Sequence, residues 1–390
     1  MEPVPEIRGA EAELRAWCER MDFRGWDPWD ALASPLLRTF PFTLRLPRWA
    51  ANHLVKISPL NPRPLLGIPR DCFAKGVALF LSGYALRERL DPQPEQRDII
   101  GLLHRRLRDK MIPGYSGPCW GTNVPYQTRA FYVPPQTPSL VHTAFAVEAL
   151  LDLHDLQPQP QYLETAVGAC RFALQDLNVR RAGEGLCFSY TPVDQTRVIN
   201  VTALAARMLA RTGRAAGDAR LLDHAHRAMR YVTDQQAADG SWPYGEEPIH
   251  GWIDNYHTGF VLDSIEDYAS HTGNDGIQSA LLRGIRFYRE HLFEEDGTPR
   301  FSPGSRYPLD GHCLAQGILT FTRLRRHDPE YLPFAERIAA WGVRHFRHPQ
   351  GYYYFQIRRR WKNTIPHIRW VQAWMFLALN RLLEAQGEGT

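Results

Sequence analysis

Lysine is scarce in this chain: Lys56, Lys75, Lys110 and Lys362 are the only ones, so nearly all the positive charge is arginine. That scarcity disfavours Schiff-base chemistry, which needs an amine nucleophile. The cysteines, Cys18, Cys72, Cys119, Cys170, Cys187 and Cys313, contain no CxxC pair. They supply neither a disulfide framework nor a paired redox motif, and read as reduced thiols of a cytoplasmic protein. Long apolar runs are missing as well, since even Trp370 to Leu383 is interrupted by Asn380 and Arg381; no membrane span is expected. Near the N-terminus Glu2, Glu6, Glu11 and Glu13 break up the opening segment, so no signal peptide is read there.

What is present is a globular composition. The 390 residues are 44% hydrophobic and 23% charged with a net charge of +4, enough for one large core or two ordinary ones. Arg105, Arg106 and Arg108, and then Arg358, Arg359 and Arg360, form the densest basic runs. Acidic residues elsewhere nearly balance them, and nucleic acid is not the expected partner.

Repetition is the strongest signal. Apolar-periodic segments start near Ser139, Thr196, Asp254, Asp310 and Pro366, at separations of 57, 58, 56 and 56 by subtraction. That period exceeds one helix, and a second helical segment lies between successive starts, at residues 161–177, 219–236, 276–292 and 330–346. Each repeat is therefore a helix pair. An earlier pair fits residues 70–89 and 95–110, and the last helix is expected to close a sixth hairpin with residues 10–20. The expected fold is all-α, an (α/α)6 toroid, with residues 1–69 as an N-terminal extension contributing the closing helix and 70–390 as the double ring.

The two helices of a pair differ in pattern. Residues 140–153, 198–209 and 314–324 are apolar or small on most faces and read as inner helices. Residues 221–232 and 281–293 carry Arg and His at regular intervals, which suits an outer ring with one wet face. The linkers into the inner helices repeat too: Gly185-Leu-Cys-Phe-Ser-Tyr190, Asp239-Gly-Ser-Trp-Pro-Tyr244, Asp296-Gly-Thr-Pro-Arg-Phe301 and Gln350-Gly-Tyr-Tyr-Tyr-Phe355. A glycine turn followed by aromatics predicts a short extended segment each time. All should emerge at one mouth, where inner-helix N-termini present unpaired N–H groups and positive dipole ends to an anionic ligand.

Two groups of double-ring proteins resemble this pattern. The segment Arg230-Tyr-Val-Thr-Asp-Gln-Gln-Ala-Ala-Asp-Gly-Ser-Trp242 resembles the QW motif of squalene and hopene cyclases and protein prenyltransferase β-subunits. Trp242-Pro243, Tyr256-His257-Thr258 and Leu314-Ala-Gln-Gly317 are similar to short stretches of glucuronyl C5-epimerases. Those belong with the six-hairpin carbohydrate enzymes, which also include unsaturated glucuronyl hydrolases and sugar 2-epimerases. The order of the stretches differs, so the resemblance implies the architecture. A cyclase would imply a DxDD motif, which is absent, and Asp254-Asn255 and Asp310-Gly311 do not cluster carboxylates for magnesium. A prenyltransferase-like zinc site would use Asp, Cys and His, which Asp310, Cys313 and His257 or His312 could imitate in another order; no metal or other cofactor is expected.

Function is read at the mouth. Thr202, His257, His312 and His367 recur at increments of 55, which predicts a hydroxyl and three imidazoles on one circle. Imidazole exchanges protons near neutrality; the plainer alternative for each is interior packing or capping. His142 is a fourth candidate. Asp194, Asp254 and Asp310 sit near inner-helix starts, where Asp caps helices or serves as general acid and base. The stretch 119–132 departs from the repeat. In it Trp120 and Tyr126 offer flat faces to sugar rings and Arg129 a fork for a carboxylate, or the loop simply seals the ring. Trp242, Tyr244, Trp252, Tyr307 and Tyr353 present the same choice.

The expected catalytic set is His257, Tyr256, His312, Asp254 and Asp310, with Trp120, Tyr126, Arg129, His142, Trp242, Tyr244, Trp252, Tyr307, Tyr353 and His367 binding substrate. Together they point to an enzyme on an anionic, uronic-acid-containing oligo- or polysaccharide, placed in polysaccharide biosynthesis. Epimerisation or lyase-type proton abstraction stands ahead of hydrolysis. A noncatalytic sugar-binding toroid and an isoprenoid-processing toroid with an apolar cavity stay open.

Overall fold

The computed structural model describes residues 4–39, 44–127 and 132–387. Two helices, α1 (Val4–Arg20) and α2 (Arg45–Ile57), precede a regular alternation. It runs α3 (Ala74–Leu90) and α4 (Pro94–Asp109), α5 (Leu140–Leu156) and α6 (Pro160–Gln175), α7 (Ile199–Ala216) and α8 (Ala219–Asp234), α9 (Asn255–Thr272) and α10 (Gln278–Leu292), α11 (Gly311–Arg323) and α12 (Tyr331–Phe346), and finally α13 (Ala373–Gly387). A π-helical turn, Ile368–Gln372, leads into α13.

The odd-numbered helices from α3 to α13 are buried on nearly every face, whereas α4, α6, α8, α10 and α12 bury one stripe, as their residue patterns require. Each inner helix packs on the next, and α13 returns to α3, so the inner ring closes. The chain is an (α/α)6 toroid.

Three glycines show how the outer ring is completed. Gly240, Gly297 and Gly351 occupy equivalent turns and adopt φ of 93°, 90° and 97°, a conformation that costs residues with a Cβ. Each turn also presses on the next outer helix. A Cβ would sit 2.5 Å from the Arg283 carbonyl oxygen of α10, 2.9 Å from Ile338 Cα of α12 and 2.7 Å from the Glu13 carbonyl oxygen of α1, respectively. The third contact puts α1 in the outer position that follows α12, and α1 packs against both α12 and α13.

The linkers are extended over short lengths. Val179–Ala182 pairs with Gly185–Phe188, and Leu309–Asp310, Gln356–Ile357 and Lys362–Asn363 form a three-stranded patch.

The two ends of the ring differ in chemistry. At the C-terminal ends of the inner helices Arg207 pairs with Glu148 at 2.5 Å, Arg211 pairs with Asp152 at 2.9 Å, and Arg323 pairs with Asp267. Glu148, Asp152, Arg207 and Arg323 from these pairs share the walls of a space of only ≈ 30 Å³ with apolar side chains such as Phe145, Phe260 and Trp374. At the N-terminal end the extension crosses the ring and is fastened by buried arginines. Arg369 donates to both carboxylate oxygens of Asp27 at 2.7 Å, and Arg63 donates to Asp30 at 2.8 Å. Among the described residues no helix is long and apolar enough to cross a membrane.

Candidate active site

The site is built on the first turns of the inner helices, where capping and chemistry share the same carboxylates. Asp254 precedes α9, and one of its oxygens accepts the His257 backbone N–H at 3.0 Å. The other lies 2.7 Å from His257 Nδ1 and accepts the Trp252 indole N–H at 3.0 Å. A residue needed to end the helix therefore also fixes an imidazole, leaving Nε2 as the remaining ring nitrogen. Trp252 stacks on Tyr244 at 4.5 Å and 13°, and Tyr244 lies 4.6 Å from the His257 ring.

Asp310 caps α11 in the same manner, accepting the His312 N–H at 2.8 Å and the Gln356 amide at 2.6 Å. Burial pushes its carboxyl above the usual range. His312 is sandwiched between Tyr256, parallel at 4.5 Å, and Trp374 at 4.7 Å. Neither of its ring nitrogens has a hydrogen-bond partner among the described residues. Burial, then Lys75, His257 and Arg369, hold its pKa well below the ordinary imidazole value, so it is neutral. Burial also pushes the Tyr256 phenol well up, with the Asp254 and Asp310 carboxylates adding to the effect. His142, on α5, contacts the Ser139 hydroxyl at 2.7 Å through Nδ1, and its Nε2 has no hydrogen-bond partner among the described residues. It too is held neutral, first by burial and then by Arg369 and Lys75.

Two cations absent from the sequence-derived set stand at the centre. Lys75, 4% exposed at the start of α3, places its ammonium 4.9, 5.2 and 5.4 Å from the ring centres of Phe145, Trp374 and Phe260. Among the described residues it forms no ion pair, and burial drives its pKa well below the normal lysine value, with Arg369 adding to the shift. Arg369 lies in the field of Tyr126 and Tyr190. Their positions carry no motif: a lone lysine in an apolar helix and an arginine in the π turn become central only when six helix starts converge.

The other candidates are distributed as follows. Tyr126 is half-buried and lies near Tyr190 and Tyr244. Trp120 is 1% exposed and buried against α4 and α5, donating its indole N–H to the Leu107 carbonyl at 2.7 Å and its backbone N–H to the Thr143 hydroxyl at 3.1 Å. Trp242 donates to the Val232 carbonyl at 2.9 Å, and its ring lies where a Cβ on Gly284 of α10 would fall. Tyr353 is fully buried and its backbone N–H donates to Gln372. Tyr307 is exposed at 39%. His367 lies before the π turn with its ring edge-on to Phe355, because that turn advances the backbone differently from the capped starts of α9 and α11. Thr202 donates its hydroxyl to Cys187 and accepts from the Phe188 N–H. Asp194 knots its own loop through Thr191 and Thr196. Arg129 lies outside the described residues. The structure thus brings together Asp254, Tyr256, His257, Asp310, His312, His142, Tyr126, Tyr244 and Trp252. It does not bring Trp120, Trp242, Tyr307, Tyr353 or His367 to the same chamber. Among the described residues no three His, Cys, Asp or Glu side chains are grouped to hold a metal ion.

No family model matches the chain, and no curated protein matches it. Solved structures do. Cellobiose 2-epimerase from Bacillus thermoamylovorans superposes with a TM-score of 0.66 at 11% identity, over 82% of this chain and 90% of that one. A D-mannose isomerase gives 0.64 at 10%, over 81% and 87%. The family 76 α-mannanase from Bacteroides thetaiotaomicron gives 0.63 at 14% identity, over 81% and 88%. At these identities what is shared is the fold, the six-hairpin toroid that the helix order and the closed ring display independently.

Proposed function

We propose that this chain is a carbohydrate-active enzyme that moves a carbon-bound proton on an anionic, uronic-acid-containing saccharide, as an epimerase. The observation that carries the reading is the Asp254–His257 pair, which shares the neighbour Phe260 with a buried Lys75 that has no ion-pair partner among the described residues. An anion entering the mouth would supply that partner, restoring a charge that burial suppresses. The stacked Tyr244–Trp252 pair offers a flat wall for a sugar ring. Epimerase, isomerase and mannanase on the same fold support a sugar as the substrate.

In this account His257 Nε2 removes the proton on the carbon next to the substrate carboxylate, while Asp254 holds the imidazolium that forms. The electron pair delocalises into the carboxylate, and Lys75 and Arg369 stabilise the added negative charge. The Tyr256 phenol, kept protonated by its surroundings, returns a proton to the opposite face. Exchange with solvent then resets His257 and Tyr256. The neutral His312 ring stacks on Tyr256 and fixes its orientation.

Hydrolysis is less well supported, since Asp254 and Asp310 are both engaged in capping and in side-chain hydrogen bonds. An isoprenoid substrate is disfavoured because the space at the far end of the ring is only ≈ 30 Å³ and buried ion pairs share its walls with the apolar side chains. The reading is tested by incubating uronic-acid glycans with the protein in deuterated water. Label without chain cleavage supports epimerisation; an unsaturated product would indicate elimination, and binding without turnover a noncatalytic role.

A further inference from the structure

The basic run Arg358–Arg360 and the extension that crosses the mouth take no part in the chemistry above, yet the fold brings them together. Residues 31–70 contain no Asp or Glu, while Arg38, Arg45, Arg48, Lys56, Arg63 and Arg70 fall within them. Arg63 is spent on the buried pair with Asp30; Arg38, Arg45 and Arg70 are exposed.

Helix α2 in this segment is amphipathic in an unusual sense. Its Ala51 and Val55 pack inward on Ala31, Leu32 and Leu37. Its outward face is also apolar: Leu46 is 75% exposed, Trp49 42% and Leu54 63%, and Leu60 and Leu65, which follow α2 in the chain, are 79% and 88% exposed. Single exposed leucines are ordinary, but three large apolar side chains on the outward face of one helix mark an interaction surface.

The second basic run lies at its edge. The strands Gln356–Ile357 and Lys362–Asn363 form a hairpin whose tip is closed by the Arg358 N–H donating to the Trp361 carbonyl at 2.8 Å. Asn363 at its base donates to the Ser58 and Lys56 carbonyls at 2.9 and 3.3 Å, which fastens the hairpin to the end of α2. Arg359, Arg360 and Lys362 on it are exposed.

We propose that this face, the outward side of α2 with the Arg359–Arg360–Lys362 hairpin, docks on the surface of an anionic lipid bilayer. Leucine and tryptophan side chains inserted at the headgroup boundary, with arginines among acidic headgroups, form the pattern of an interfacial helix. Charge decides against the other occupants. A second copy would set basic groups against basic groups, and a nucleic acid would leave the leucines in water. Lys56, near the end of α2, lies 4.0 Å from the ring centre of Trp29 and 5.8 Å from that of Trp370, so docking would hold the mouth of the ring close to the bilayer. The inference does not depend on the sugar chemistry.

The test is co-sedimentation of the full chain with vesicles of phosphatidylcholine alone and of phosphatidylcholine mixed with phosphatidylglycerol. The chain should pellet with the mixed vesicles, and high salt should release it. Leu46→Ser/Trp49→Ser/Leu54→Ser and Arg359→Glu/Arg360→Glu should each lower the partition coefficient by tenfold or more, since each basic side chain is worth about fivefold near such a surface. Leu282→Ser, altering an exposed leucine on α10, should leave it unchanged. All these side chains are exposed or lie at a hairpin tip, so melting temperatures should stay at the wild-type value and confirm folding. No pelleting with mixed vesicles, or full retention by both multiple variants, would overturn the proposal. So would a dimer in vesicle-free solution that the Leu46/Trp49/Leu54 variant abolishes.

Discussion

His257 Nδ1 lies 2.7 Å from a carboxylate oxygen of Asp254, and the other oxygen of that carboxylate caps the helix on which His257 rides. One side chain thus sets the helix start, the imidazole orientation and, through Trp252, the aromatic wall. Asp254→Asn separates these roles. Asparagine caps a helix about as well as aspartate, so the melting temperature should change little, whereas turnover should fall by about 10²- to 10⁴-fold with the loss of the charged partner. Parallel thermal melts and rate measurements check this.

Lys75 should act on the substrate's charge. Lys75→Met should weaken binding of a uronic-acid oligosaccharide by about tenfold or more, the worth of a charged hydrogen bond, and leave binding of the uncharged counterpart unaltered. Isothermal titration with the two ligands reads the difference.

The buried imidazoles make the fold sensitive to acid. His142, His312 and His367 each have folded-state pKa values well below 6.5, because burial penalises the charged ring. The unfolded chain therefore binds more protons than the folded one below that pH. Their contribution to stability is complete above 6.5 and is lost as pH falls from 6.5 toward the folded values. His312→Gln should remove one such proton, making the slope of stability against pH shallower by about 1.4 kcal/mol per unit. Urea midpoints across an acid pH series measure it.

Trp242 illustrates a tryptophan whose position is structural. A Cβ on Gly284 would lie 2.5 Å from its ring. Gly284→Ala should cost about 1–3 kcal/mol by overpacking, with activity per folded molecule unchanged. Denaturant titration together with active-site-normalised rates would show both.

The toroid was legible because its cause is periodic. Alternating all-round apolar and one-faced helices, and glycines such as Gly240, Gly297 and Gly351 at matching turns, are written into the residue pattern. The Asp254 and Asp310 caps were visible for the same reason. The circle of imidazoles was legible only in part. The 55-residue increment tracks sequence, but the π turn at Ile368–Gln372 shifts the local register, so His367 packs on Phe355 while Arg369 occupies the mouth. Lys75 and the ion pairs at the far end were not legible, since their neighbours come from helices far apart in sequence. Trp120 and Trp242 looked like sugar platforms because composition does not reveal where an indole N–H finds its carbonyl.

The most direct test of the account is solvent deuterium incorporation into a uronic-acid oligosaccharide, followed by mass spectrometry for wild type and His257→Ala. The account predicts one deuterium per converted residue, at the carbon beside the carboxylate, with the chain uncleaved, and no label with the folded His257→Ala variant. Unlabelled cleavage products, or undiminished labelling by His257→Ala, would contradict it.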